Sequence, residues 1–396
     1  MFPKLRFKEF DGDLTESKLV ELTSWASGGT PAKDVPEYWG DDIPLISGAS
    51  MHTNQLYESD VKITKLGLQK GSKLALKDSI LILVRGSMLF NKIPMGITLG
   101  DVAFNQDVKC IRPKQQLAPL FLFQWLHAKE NTIQNKVTAT GIGAGKLDTA
   151  DLQNLKLYKP SLEEQTKIAT FLSAVDEKIS QLTQKHQLLR EYKQGMMQKL
   201  FSQQVRFKAD DKSEFEEWEE KELKDIAEIN PKSKKLPESF IYIDLESVEK
   251  GQLLLQKNIE LQDAPSRAQR LLAKGDVLFQ MVRPYQQNNY YFNLSGEYVA
   301  STGYAQIRTK LDSKFIYYAL HEKTFLDEVM NRCTGTSYPA INSSDLSSIE
   351  ILIPCLEEQT KIANFLSSID QKIEVVAQQI EQAKQWKKGL LQQMFI

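Results

Sequence analysis

Apolar positions alternate by four and three along two long stretches of this chain, and the two stretches are copies of one another. The first runs through Ile168, Leu172, Val175, Ile179, Leu182, His186, Leu189, Lys193, Met196 and Leu200. The second runs through Ile362, Leu366, Ile369, Ile373, Val376, Ile380, Ala383, Lys387, Leu390 and Met394. This alternation is a heptad seam, the stripe by which one helix packs on another. Each seam covers about 32 residues, which is about 48 Å of helix. A helix that long is unstable while its stripe is exposed, so each copy is expected to partner the other. Antiparallel pairing is expected, because each helix follows a globular block and opposite ends keep the blocks from crowding. His186, Lys193 and Lys387 interrupt the seam; His186 reads as a seam residue rather than a catalytic one, and register control is the role expected of all three.

The duplication is sharpest where each helix begins. Pro160-Ser161-Leu162-Glu163-Glu164-Gln165-Thr166-Lys167-Ile168-Ala169 returns, 194 residues later, as Pro354-Cys355-Leu356-Glu357-Glu358-Gln359-Thr360-Lys361-Ile362-Ala363. Over Pro160–Ile179 against Pro354–Ile373, 15 of 20 positions are identical. A repeat of this length means two copies of one structural unit. Ser161 and Glu164 fit a capping box. Cys355 stands where the second copy needs its capping serine, so that start should be weaker by about 1 kcal/mol.

The blocks between the helices repeat with a drifting offset. Arg6-Phe7-Lys8 pairs with Arg206-Phe207-Lys208, Asp78-Ser79-Ile80 with Asp276-Val277-Leu278, Leu126-His127 with Leu320-His321, and Thr140-Gly141 with Thr334-Gly335. One scaffold with two different surfaces would look like this. Each block reads as mixed α/β. Ser79–Val84 is a buried strand by its apolar run, and Leu117–Leu126 opens a helix with Pro119 near its first turn. Ser27-Gly28-Gly29-Thr30-Pro31 breaks the first block. The expected fold class is α+β, with two mixed α/β domains, two long helices pairing as an antiparallel coiled coil, and a pseudo-twofold repeat. The expected divisions are 1–160, 161–204, 205–354 and 355–396. Leu5-Arg6-Phe7 matches Val205-Arg206-Phe207, which follows the first helix, so the repeat reads as a cyclic object cut at one junction.

Bulk properties narrow the class. A chain of 396 residues suggests two to three domains, and 41% hydrophobic residues suffices for buried cores. No apolar run is long enough for a transmembrane helix, and Met1–Lys8 lacks the apolar centre of a signal peptide. Cys110, Cys333 and Cys355 are scattered and odd in number, which argues for a reducing compartment and against a metal site. A soluble cytoplasmic protein is expected. The net charge of −1 does not advertise nucleic-acid binding. Residues 1–160 carry 20 basic and 17 acidic side chains, and residues 205–354 carry 19 and 24. DNA affinity would therefore need help from partners.

No catalytic constellation stands out. Gly141-Ile142-Gly143-Ala144-Gly145-Lys146 resembles a phosphate loop, but Thr140 occupies the first glycine's place and Leu147 follows the lysine. Asn230-Pro231-Lys232 has only the start of an amino-methyltransferase tetrad. His52, His127, His186 and His321 lack ligand spacing, and no metal is expected. What remains are polar and aromatic loop clusters. The first block offers Ser47, His52, Asn54, Arg85, Asn91, Lys92 and Lys146. The second offers Arg283, Tyr285, Gln286, Gln287, Asn288, Asn289 and Tyr290, and then Tyr338. Amides and arginines are the side chains that read base edges, so these are candidate DNA contacts. Arg85 and Arg283 align, which suits a scaffold or phosphate role better than a specificity role.

These features resemble the specificity subunit of a type I restriction-modification system, over essentially the full length. The resemblance rests on the alternation of domain and long helix, on Pro-x-Leu-Glu-Glu-Gln-x-Lys-Ile-Ala at both helix starts, and on Asp-x-Ile/Leu-Leu/Phe-x-x-Val-Arg in both domains. Gly29-Thr30-Pro31 with Tyr38-Trp39-Gly40 adds to it. It implies that each domain reads one half of a bipartite site on double-stranded DNA, and that the helices set the gap. It implies docking of two methyltransferase subunits around Glu163, Glu164, Gln165 and Lys167 and around Glu357, Glu358, Gln359 and Lys361, with motor-nuclease subunits joining for restriction. S-adenosylmethionine is then expected on the partners, with no cofactor and no enzymatic activity in this chain. About 48 Å of helix corresponds to about 14 base pairs, the scale of such a site. The alternative is a coiled-coil scaffold carrying two protein-binding domains. Inserting a heptad into one long helix should lengthen or abolish the preferred gap; an unchanged gap, read by methylation-motif sequencing, removes the spacer role.

Overall fold

The computed structural model describes residues 3–141, 143–232 and 235–396. Met1 and Phe2, in the N-terminal stretch, and Ile142, in the glycine-rich stretch, lie outside the described residues. The chain forms two compact units, Met1–Thr183 with Gln378–Ile396, and Gln184–Ala377. Each unit holds one mixed α/β block and half of each long helix. The long helices are Leu162–Phe201 and Leu356–Met394.

The first unit is built on two sheets. Ile80–Leu83 is buried along its whole length and lies centrally, between Val108–Pro113 and Met95–Thr98, both antiparallel to it. Thr23–Ser27 and Gln55–Leu56 complete that five-stranded sheet. In the second sheet Trp39–Ile46 runs parallel to Val102–Phe104, with Lys62–Ile63 and Lys73–Ala75 outside them. A short antiparallel pair, Thr15–Lys18 with Lys156–Lys159, delivers the chain to the central helix. Pro119 opens the helix Pro119–Ala128, where its missing N–H costs nothing. Gly28 is required: a Cβ there would stand 2.2 Å from the carbonyl oxygen of Phe104.

The second unit repeats this topology. Val277–Gln280 is again the buried strand, between Tyr304–Thr309 and Tyr290–Tyr291, with Ala227–Ile229 at the edge. Ser239–Ile243 again runs parallel to Tyr298–Ser301. Glu219–Glu222 pairs with Glu350–Ile353 ahead of the C-terminal helix. The sequence repeat is therefore a repeat of topology. Asn230, in the incomplete methyltransferase-like tetrad, is a turn residue at φ 53° whose side chain accepts from the Gln306 N–H and donates to Ser343.

Within each unit the helices meet antiparallel. In the first, Ile168, Leu172 and Val175 share a core with Leu390 and Met394; in the second, Leu200 shares one with Ile362, Leu366 and Ile369. Every seam position named from the heptad pattern is buried or half-buried. Lys387 Nζ lies 2.5 Å from Asp176 Oδ1, and Lys193 Nζ lies 2.6 Å from Asp370 Oδ1. These are one pair by the repeat, since both residues shift by 194. Each aspartate also holds its own block: Gln124 Nε2 donates to Asp176 Oδ2, and the Tyr318 hydroxyl donates to Asp370 Oδ2, both at 2.7 Å. Two of the three seam interruptions are thus halves of helix-to-helix ion pairs. His186 is half-buried in the seam.

The helix starts depart from a full capping box. Ser161 Oγ accepts from the Glu164 N–H at 3.3 Å, but the Glu164 carboxylate turns away to Arg6, at 2.7 Å from both Nε and Nη2. A guanidinium fork is a stronger partner than one backbone N–H. Glu358 does the same with Arg206 and also accepts from Trp218 Nε1 at 3.0 Å. Gln165 caps the Pro160 carbonyl and accepts from the Ala118 N–H; Gln359 caps the Pro354 carbonyl and accepts from the Asp312 N–H. The Leu5 N–H donates to the Gln393 carbonyl, as the Val205 N–H donates to the Lys199 carbonyl. That is the cyclic correspondence read from the sequence.

Lys387→Met leaves Asp176 half-buried without its cation and should cost about 1–3 kcal/mol in urea unfolding. A double-mutant cycle with Asp176→Asn should give a coupling of about 1 kcal/mol or more; strict additivity would show that the pair does not act as a unit.

Candidate nucleic-acid interface

The aligned arginines end up in different settings. In the first unit Arg85 lies directly opposite Lys146, both exposed, in a short antiparallel ladder, Arg85–Gly86 against Gly145–Lys146. Like charges facing each other across a ladder repel, and neither has an ion-pair partner among the described residues. An anion between them would offset the repulsion. Gly145–Lys146 is the middle strand of a three-stranded sheet, between Thr138–Ala139 and Arg85–Gly86, so Lys146 is presented from a strand rather than from a phosphate loop. Asn91 and Lys92 are exposed just beyond the turn Ser87–Phe90, as are His52 and Asn54. Ser47 is half-buried, and its backbone N–H and carbonyl both engage Ser50 Oγ.

In the second unit Arg283 and Gln287 bracket the turn Pro284–Gln286 with left-handed backbone, φ 54° and 52°. The Arg283 guanidinium sits 4.3 Å from the centre of the Tyr338 ring, and the Arg283 N–H donates to the Pro339 carbonyl. Tyr338 and Tyr285 are 64% and 50% exposed. This surface has a cation stacked on one aromatic ring beside a second exposed ring, both suited to bases or sugars.

The amide run behind it is mostly turned inward. Asn289 is buried: its Oδ1 accepts from the Gln280 N–H and its Nδ2 faces His321 Nε2. Asn288 donates its N–H to Gln280 Oε1 and accepts from the Lys250 N–H. Gln287 donates to the His321 carbonyl. Tyr290 belongs to the core around Ile243 and Phe292. Asn289 and Tyr290 are thus corrected from candidate base contacts to supports, because the strand Tyr290–Tyr291 needs one face in the core. His321 donates from Nδ1 to the Tyr317 carbonyl at 2.7 Å, and burial pushes its pKa down to about 4, so it is neutral at pH 7.

The proposed docking residues also divide. Glu164, Gln165, Glu358 and Gln359 are buried and consumed by the contacts above, so they hold the helix starts rather than face a partner. Glu163 and Glu357 are exposed. Lys167 bonds Glu9, and Lys361 bonds Asp210 at 2.5 Å, with their ammonium groups near the rings of Phe7 and Phe215. Leu162 and Leu356, equivalent by the repeat, are exposed beside them, and so are Trp386 and Tyr192. Exposed large apolar residues at equivalent places in both copies are a signal that the heptad reading passed over.

The model of the family described as type I restriction modification DNA specificity domain matches residues 12–190 and again residues 215–385. The chain belongs to this family. A specificity subunit of the type I restriction enzyme MjaVIII from Methanocaldococcus jannaschii is 27% identical over 409 residues, covering 97% of this chain and 94% of that protein. The EcoR124I/EcoR124II specificity subunit of Escherichia coli is 29% identical over 182 residues, 46% of this chain and 45% of that protein. Among solved structures, the S subunit of a type I restriction-modification system from M. genitalium superposes with a TM-score of 0.62. It is 17% identical and covers 100% of this chain and 99% of that one, a likeness of fold. The chain is a specificity subunit rather than a catalytic one, and the scaffold alternative finds no support among these relatives. Among the described residues no helix is long and apolar enough to cross a membrane, and no group of three or more His, Cys, Asp or Glu is placed to hold a metal ion.

Replacing Arg85 and Lys146 by glutamine should weaken DNA binding evenly across sequences and lower the salt slope by about 1 per side chain, with the recognised motif unchanged. A changed motif at unchanged slope would make them base readers instead.

Proposed function

We propose that the chain gives a type I restriction-modification complex its DNA sequence, each globular block reading one half of a bipartite site. The blocks 1–160 and 205–354 are the recognition domains, and the helical stretches 161–204 and 355–396 set the gap. One observation carries this reading. The same scaffold occurs twice, yet the surroundings of the aligned Arg85 and Arg283 differ: Arg85 lies opposite an exposed Lys146 in one, and a half-buried Arg283 stacks on an exposed Tyr338, two residues from an exposed Tyr285, in the other. Common scaffold with divergent loops is what two readers of different sequences require.

The partners follow from the same repeat. Glu163, Leu162 and Lys167, and their equivalents Glu357, Leu356 and Lys361, form two like surfaces at the helix starts, which suits two copies of one methyltransferase subunit. That subunit carries S-adenosylmethionine and the chemistry; motor-nuclease subunits complete the restriction complex, and the assembly acts in the cytoplasm. The near-neutral charge fits a chain that holds DNA together with partners rather than alone.

Methylation-motif sequencing of DNA from cells carrying the system should return one motif of two specified parts separated by a fixed unspecified gap. A continuous motif, or none, would overturn the reading.

A further inference from the structure

The inward amides of the second unit form a chain whose polarity is set at both ends, and Gln286 is its exposed terminus. A backbone N–H can only donate. The Asn288 N–H points at Gln280 at 3.0 Å, so Gln280 must present Oε1 there. Its Nε2 must then face Gln286, 2.9 Å away, and Gln286 must present Oε1 inward. The Gln280 N–H fixes Asn289 in the same way, Oδ1 toward Gln280 at 2.8 Å and Nδ2 toward His321 Nε2 at 3.4 Å. His321 closes the far end by donating from Nδ1 to the Tyr317 carbonyl. Gln280 and Asn289 are only 2% and 1% exposed, so water does not compete for these bonds. The Gln286 oxygen is thereby committed to the interior. Its amino group has no partner among the described residues and lies in the exposed turn between Tyr285 and Gln287.

A free glutamine contacts adenine with both amide atoms, oxygen to N6 and nitrogen to N7. Gln286 turns its oxygen inward and its donor outward, so it cannot make that paired contact. We infer that Gln286 is a specificity-determining side chain of the second half-site, and that it selects a base whose major-groove edge shows acceptors without a donor, guanine or thymine, over cytosine and adenine. Gln280 is a positioning residue that acts through Gln286. The inference rests on the proposed role of this block as a DNA reader.

Two substitutions test the polarity by independent routes, each made in the assembled complex and read by methylation-motif sequencing. Gln286→Glu places an acceptor outward. Gln280→Glu keeps an acceptor for the Asn288 N–H but turns a second oxygen toward Gln286, forcing that amide to flip, although residue 280 is shielded from DNA. Both should move one and the same position of one half-site toward bases that show a donor, with preference shifting by about tenfold or more, while the other half-site and the gap stay as they were. Gln286→Leu should relax that position without reversing it. If Gln286→Glu behaves as Gln286→Leu does, or leaves the motif unchanged, the polarity inference falls while a bipartite wild-type motif keeps the domain's role intact. If the wild-type motif is not bipartite, both fall. Should Gln280→Glu fail to fold, the contrast between Gln286→Glu and Gln286→Leu decides alone.

Discussion

A buried carboxylate in the first turn of each long helix needs a cation, and that need organises the structure around it. Glu164 and Glu358 are almost wholly inaccessible to solvent, and an unpaired charge at such a place would cost several kcal/mol. Arg6 and Arg206 answer it with forked contacts, and the same guanidiniums reach the carbonyls of Gly12 and Glu216. Each pair ties the segment that enters a block to the helix that leaves it. The neighbouring glutamines tie the helix start to its own block. The Glu-Glu-Gln signature is thus one solvent-facing residue followed by two inward ones, and its near-identity in both copies reflects one packing problem solved twice.

Further along the helices the constraint is register. Leucine and isoleucine stripes tolerate sliding, because dispersion and burial carry little direction. A lysine from one helix against an aspartate from the other does not slide without leaving both half-buried and unpaired. The aspartate's second oxygen is held from the block by Gln124 in one unit and by Tyr318 in the other. The donor differs while the geometry recurs, which marks the junction itself as the retained feature. Helix pairing and block placement within each unit are settled by the same carboxylate.

The surfaces for recognition show how differently loops and scaffolds can be read. The buried strands at Ile80–Leu83 and Val277–Gln280, the helix opened by Pro119 and the presence of both long helices were legible, because burial periodicity and helix-start chemistry act locally. The amide-rich run Gln286–Tyr291 was read as a base-contacting loop of the second block. Its polarity suggested contact with bases, yet Asn288, Asn289 and Gln287 spend theirs on the loop's own shape. Composition does not distinguish an amide that reads from an amide that holds. Tyr338, 53 residues from Tyr285 in the chain, joins the same surface because its segment pairs with the strand end at Met281–Arg283, through the Arg283 N–H to the Pro339 carbonyl and the Ile341 N–H to the Met281 carbonyl.

By itself the sequence determined that there are two units, two long helices with matching stripes and a mixed α/β scaffold. Those follow from repeats and from periodicities of a few residues, which need no knowledge of distant contacts. Only the tertiary structure decided which polar residues face outward. Glu163 and Glu164 differ by one position and point to opposite fates, since successive helical residues turn by about 100°. The seam interruptions Lys193 and Lys387 acquired partners more than 170 residues away in the chain, at Asp370 and Asp176. The stretch from Pro160 to Phe201 announced the architecture; long-range pairing of buried charges assigned its residues their roles.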